Sequence, residues 1–108
     1  MQIKTTSIFE KNFKKLYKKD RLLIVQYEKL LDDLEENKHL GTSLGDNRYK
    51  IRIKNTSSNK GKSSGYRVIT YTKIENIILL VYIYSKSDIE NVSNNKIDEI
   101  IKKYRENK

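Results

Sequence analysis

The 108-residue sequence contains no cysteine, no proline and a single histidine. Without cysteine there is no disulfide framework and no thiolate site. With His39 alone, a ribonuclease mechanism built on two histidines is excluded, and a residue just before a turn reads first as an ordinary loop side chain. There is no proline linker and no internal repeat, so residues 1–108 are expected to form one domain. Long apolar runs are missing too. The longest, Ile77 to Tyr84, is far short of the roughly 20 residues a membrane helix needs. Met1 to Thr6 is polar and no apolar signal core follows it, so a soluble, cytoplasmic chain without a membrane partner is expected.

What the sequence has in excess is positive charge. Lysine and arginine number 23 against 14 acids, a formal net charge of +9, which on so small a domain favours an anionic partner. Hydrophobic residues still make up 36%, enough for one modest core and too many for a disordered chain.

The hydrophobic period locates the elements. Gln2 to Thr5 suits a short strand. From Ser7, a candidate N-cap, Ile8, Phe9, Phe13, Leu16 and Tyr17 recur at helical spacing. A break is expected at Lys18-Lys19-Asp20, because Leu22, Leu23, Val25, Tyr27, Leu30, Leu31 and Leu34 run on a new phase; the two helices should form a hairpin. Gly41 and Gly45 mark an irregular loop. Beyond it the period drops to two, with strands expected at Arg48 to Lys54, Tyr66 to Thr72 and Ile77 to Tyr84, the last apolar on both faces and therefore central. Ser93 or Asn94 can cap a final helix carrying Ile97, Ile100, Ile101 and Tyr104. The expected fold class is α+β, in the order β-α-α-β-β-β-α, with helices packed on one side of an antiparallel sheet.

The strand Arg48 to Lys54 carries the chemical signal. Arg48, Lys50, Arg52 and Lys54 occupy alternate positions, so they project from one face about 6.5–7 Å apart. Phosphates repeat every ~3.4 Å along a stacked strand and farther apart when it is stretched, so this spacing suits an extended nucleic-acid backbone. An edge strand also uses charge to prevent aggregation, but four cations with no interspersed acid exceed that need. The following loop adds Lys60 and Lys62 beside Gly61 and Gly65, where glycine permits close backbone approach to phosphate, although the loop is not a Walker motif and a plain flexible connection is the simpler reading. Arg67 follows the loop directly. Tyr82 and Tyr84 share a face of the neighbouring strand, with Lys86 just past its end; their rings suit base stacking or ordinary core packing. The acids Asp32, Asp33, Glu35 and Glu36 read as a solvated helix face, and no metal site is expected.

The segments Tyr49-Lys50-Ile51-Arg52-Ile53-Lys54, Gly61-Lys62-Ser63-Ser64-Gly65-Tyr66-Arg67-Val68-Ile69-Thr70-Tyr71 and Leu80-Val81-Tyr82-Ile83-Tyr84-Ser85-Lys86-Ser87 together resemble the RelE/ParE superfamily of type II toxins, most closely its HigB-type branch. The resemblance extends to the Phe9-x-x-x-Phe13-x-x-Leu16 helix and the Leu40-Gly41-x-x-Leu44 loop. It implies a metal-free, cofactor-free mRNA endoribonuclease that acts on the ribosome, inhibits translation and is neutralised by a cognate antitoxin. It implies catalytic roles for Lys50, Arg52, Lys54 and Arg67, with Lys62 and Lys86 as secondary candidates and Tyr84 or Lys86 as candidate acid–base groups; the charge and ring pattern read above adds Arg48, Lys60, Lys62 and Tyr82 as RNA-binding candidates. Where some relatives carry an arginine after the last strand and a tyrosine six residues on, this sequence has Ser87 and Ser93, which leaves the acid and base unassigned. Two other functions fit the same residues: a ParE-like gyrase poison, and a non-enzymatic RNA-binding module for which the order α-β-β-β-α from Leu22 onward would suffice.

Overall fold

The change from helical to two-residue periodicity is realised almost where it occurs in the sequence. The computed structural model describes residues 1–55, 65–89 and 91–107. Their elements are β1 (Gln2–Thr5), α1 (Ser7–Lys19), α2 (Leu23–Glu36), β2 (Thr42–Gly45), β3 (Arg48–Lys54), β4 (Gly65–Tyr71), β5 (Ile77–Ser85) and α3 (Asn94–Glu106). The sheet order is β1-β5-β4-β3-β2, antiparallel throughout except that β1 runs parallel to β5. The α+β class and the expected order are those of the structure, with one short strand more than the sequence suggested.

That extra strand is β2. Its turn to β3 is Asp46-Asn47, both at positive φ (51° and 65°), the left-handed pair a two-residue hairpin requires. The sequence reads there as an irregular loop because neither turn position is glycine. Gly41, just before β2, has φ 97°, and a Cβ on it would lie 2.4 Å from the Lys50 carbonyl oxygen, so only glycine lets the chain pass this close to β3.

The α1–α2 hairpin packs on one side of the sheet. Phe9, Leu23, Leu30 and Leu34 from the helices bury against Ile51, Ile53, Tyr66, Val68, Ile78, Leu80 and Ile83. Asp20 caps the end of α1 and is itself buried; it accepts the Tyr66 hydroxyl at 2.8 Å, tying the hairpin corner to β4. The N-cap of α1 is Thr6 rather than Ser7: its hydroxyl accepts the Phe9 N–H at 3.0 Å and donates to the Val81 carbonyl at 2.7 Å. Thr6 wins because its hydroxyl also satisfies a carbonyl on the adjacent strand.

Ile69, Tyr71, Leu79, Val81, Tyr82 and Tyr84 turn to the other face and form a second cluster with Ile97 and Ile101 of α3, which closes over part of that face. The register between β4 and β5 slips after Ile69, so that Ile69 pairs with Tyr82 and Thr70 with Leu80. Val81 is the extra residue. A bulge of this kind reverses the alternation beyond it. Leu80 therefore faces the helical hairpin while Tyr82 and Tyr84, which share its parity in sequence, face the opposite way.

Among the described residues no helix is long and apolar enough to cross a membrane.

Candidate functional site

The bulge brings three rows of side chains into register on the face away from the hairpin. Arg52 of β3 pairs with Arg67 of β4, which pairs with Tyr84 of β5. One step away, Lys50, Ile69 and Tyr82 form the next row. One step the other way, Lys54 pairs with Gly65, and the Lys86 backbone N–H donates to the Gly65 carbonyl at 2.8 Å. The sheet thus gathers Lys50, Arg52, Lys54, Arg67, Tyr84 and Lys86 at one end of one face.

Arg67 is the centre of this group and its least expected member. It is only 7% exposed, and among the described residues its side chain makes one hydrogen bond, from Nη1 to the neighbouring Tyr66 carbonyl at 3.1 Å. No carboxylate among those residues pairs with it. Directly opposite stands a second guanidinium, Arg52, which is exposed. Like charges placed opposite each other weaken a sheet, and a buried cation without a counter-ion is costly. Among the described residues the arginine pair has no counter-ion.

Tyr84 completes the row. Its hydroxyl is buried and has no hydrogen-bond partner among the described residues. Burial pushes the phenol above its ordinary pKa, against the pull of the Arg67 guanidinium, and Tyr82 adds to the rise. It is therefore a neutral O–H donor that, among the described residues, has no acceptor and stands next to an arginine pair without a carboxylate.

Other expected residues fall elsewhere. Arg48 points to the same face but is not available to RNA: it is buried, and Nη1 donates to both carboxylate oxygens of Asp98 on α3 at 2.7 and 2.8 Å. Nε and Nη2 reach the Gly45 and Leu44 carbonyls. The fourth cation of the strand is thus neutralised inside the protein, where it clamps α3 to the β2–β3 hairpin. Tyr82 is likewise not an open stacking platform. It is packed in the α3 cluster, with the Lys96 ammonium 5.1 Å above its ring and 3.4 Å from its hydroxyl. Lys60 and Lys62 lie outside the described residues. His39 rests against Tyr49, whose neighbours in alternation, Ile51 and Ile53, face the hairpin, so it is remote from the cationic rows.

Two residues near the site went unnoticed in the sequence. Asn91 accepts from the Lys50 ammonium at 3.2 Å, and Lys96 covers Tyr82. Both belong to the entry into α3, and only the packing of that helix on the sheet brings them near β3 and β5. No local pattern signals them.

Fold and site define a small basic α+β protein whose sheet carries a row of cations on one face, centred on an arginine pair. The sequence matches the family model of the RelE toxin of the RelE / RelB toxin-antitoxin system over residues 1–106, and the chain belongs to that family. A search of curated proteins gave no match. Family membership gives it the general role of a toxin, and toxins of this family act with cognate antitoxins and mRNA.

Proposed function

We propose that this chain is a metal-independent mRNA endoribonuclease of the HigB-type branch, cutting ribosome-bound mRNA and held inactive by its antitoxin. The observation that carries the reading is Arg67: a buried cation with no acid partner among the described residues, flanked in register by Arg52 and by the unpartnered hydroxyl of Tyr84.

Cleavage of RNA by its own 2′-hydroxyl asks four things of a protein: in-line orientation, removal of the 2′ proton, stabilisation of the extra charge on phosphorus, and protonation of the departing 5′-oxygen. Arg67 and Arg52 hold the phosphate from two adjacent strands and take the charge that builds on its oxygens. Tyr84, protonated at neutral pH, donates its O–H to the phosphate or to the leaving 5′-oxygen. Lys50 and Lys54 flank Arg52 on the same strand face, where one of them serves as base; Lys86 follows at the end of β5, and these residues together form the cleft that takes the phosphate. The 2′-oxygen forms a bond to phosphorus as the bond to the 5′-oxygen breaks. The products are a 2′,3′-cyclic phosphate and a 5′-hydroxyl, with no redox change and no co-reactant.

Programmed ribosomes carrying a defined mRNA test the proposal. The expected result is cleavage at discrete positions, 5′-hydroxyl ends on the downstream fragment, and protection when the nucleotide before the cut carries a 2′-deoxyribose. Equal cleavage of the deoxy-substituted message would rule out attack by the 2′-hydroxyl. Intact mRNA would reject the nuclease.

A further inference from the structure

The cleft accounts for the cations of the sheet and leaves those of α1 unexplained. This helix carries Lys11, Lys14, Lys15, Lys18 and Lys19, all exposed, against one acid, Glu10, which already accepts the Thr5 hydroxyl at 2.8 Å. Its partner α2 has the reverse balance, with Glu28, Asp32, Asp33, Glu35 and Glu36 against Lys29 alone. The excess of positive charge on the hairpin therefore falls on one helix, which general solubility does not require.

The location of that helix is specific. β1 pairs with β5 only as far as Leu80, so the rest of β5 has an open edge. α1 lies along it, and Asn12 Nδ2 donates to the Ile83 carbonyl at 3.3 Å. Between helix and edge is a pocket of about 190 Å³ lined by Lys15, Leu16 and Lys19 from α1, by Tyr84 of β5 and by Asp88 and Ile89 just past that strand. Tyr84 thus borders this pocket as well as standing in the Arg52–Arg67–Tyr84 row.

We infer that α1 and the β5 edge form a second binding surface for the substrate RNA, taking nucleotides that flank the scissile phosphate; the inference rests on the nuclease reading of the cleft. Lys15 and Lys19 stand four residues apart on α1, about 6 Å along its axis, close to the separation of neighbouring phosphates in a stretched strand. Leu16 and Ile89 offer an apolar floor for a base. Asp88 disfavours a phosphate at its end of the pocket and suits the amino group of a base. The strand therefore crosses β5 at Tyr84, with its scissile phosphate on the sheet and its flank along α1.

The test uses RNAs made non-cleavable by a 2′-deoxyribose, one confined to the cleft and one extended by several nucleotides, binding the full chain and its Lys15→Ala/Lys19→Ala and Lys29→Ala variants. The double variant should bind the extended RNA about tenfold more weakly. Its slope of log affinity against log salt should be shallower by roughly 1.4, at ~0.7 for each phosphate no longer neutralised. Affinity for the short RNA, and both affinities of the Lys29→Ala variant, should not change. An unchanged salt slope on the extended RNA overturns the inference while leaving the nuclease intact, and so does equal weakening on both RNAs, which would mean that the cleft had been disturbed. Lost binding of an oligoglutamate peptide with unchanged RNA affinity would assign the face to an acidic protein segment and overturn it too. A wild-type chain that binds neither RNA sinks the nuclease reading and this surface with it.

Discussion

Arg67 and Tyr84 face each other across the β4–β5 ladder, one a guanidinium 7% exposed, the other a buried hydroxyl, and among the described residues the first has no carboxylate partner and the second no acceptor. Folding alone rewards neither. Buried polar groups are ordinarily satisfied, and on the proposed reading these two exceptions trade stability for binding.

Replacing Arg67 separates the two demands. Arg67→Met keeps much of the side-chain volume and removes the buried charge. Cleavage is expected to fall about 10²–10³-fold, the loss typical of one donor to a developing oxyanion. The thermal midpoint should stay level or rise, because exchanging a buried charge for an apolar group is often neutral or stabilising. Single-turnover cleavage and thermal melts measure both. Full activity would remove Arg67 from the site; a steep loss of stability would make it structural.

Tyr84→Phe removes only the orphan hydroxyl. Stability should be unchanged within ~1 kcal/mol, since no hydrogen bond is lost, while the cleavage rate should fall about 10²–10⁴-fold if the phenol works as acid. The sign of its pH dependence follows from burial. The folded pKa is raised above the ordinary tyrosine value near ~10, and the active donor is the protonated form, so the donor persists throughout the neutral range. The ratio of wild-type to variant rates should therefore be flat from roughly pH 6 to 9. A ratio that collapses within that window contradicts the assignment.

Much of this site was legible in the sequence, and the part that was not has a definite cause. Alternation alone placed Lys50, Arg52 and Lys54 on one face, and the position of Arg67 at the start of the next strand set it beside them. Alternation could not say which face Tyr82 and Tyr84 would share, since that depends on the bulge at Val81, and a single extra residue reverses the outcome. Nor could it show that Arg48 would be neutralised by Asp98, fifty positions away on a helix whose packing is a tertiary event. The same blindness hid the Asp46-Asn47 turn: with no glycine in it, the hairpin it closes reads as loop.

Arg48 and Arg52 should behave oppositely although they are two turns of alternation apart on one strand. Asp98→Ala leaves Arg48 buried without its bidentate partner and should cost about 1–3 kcal/mol in denaturant unfolding, the range for an unsatisfied buried donor. It should leave the salt dependence of RNA binding unchanged. Arg52→Ala should do the reverse: stability close to wild type, and a salt slope shallower by about 0.7. Were Arg48→Met to reduce the slope as Arg52→Ala does, Arg48 would belong to the RNA surface after all.

The Tyr66–Asp20 bond makes the fold sensitive to alkali. Burial, and then the hydrogen bond to Asp20 and its negative charge, raise the Tyr66 phenol well above its ordinary value, with Asp88 adding to the rise. The unfolded chain releases this proton near pH ~10 while the folded chain retains it. The contribution is therefore complete below pH ~10 and is lost as pH climbs from there toward the folded value. Urea midpoints of the wild type should drop across that interval. Tyr66→Phe should start about 1–3 kcal/mol lower at neutral pH, since Asp20 loses a donor, and show a flatter decline. Parallel curves for the two proteins would assign the alkaline loss to other groups.

Thr6 links the N-terminus of α1 to the chemistry on the far face of the sheet. Its hydroxyl accepts from Phe9 and donates to the carbonyl of Val81, the residue that makes the bulge. Thr6→Ala removes a helix cap and one bond that holds the bulged strand, for a cost of about 1–2 kcal/mol. Thr6→Ser keeps the hydroxyl and should restore most of it. Because the bulge alone turns Tyr84 toward Arg67, loosening it should lower the cleavage rate of folded Thr6→Ala protein although Thr6 touches no RNA. Amide hydrogen exchange offers a readout that simple destabilisation would not reproduce: protection should fall first at Tyr82 to Tyr84, with the β3–β4 ladder unaffected. Uniform loss of protection over the whole sheet, with Thr6→Ala as active as wild type, would show that the bulge holds its register without this threonine.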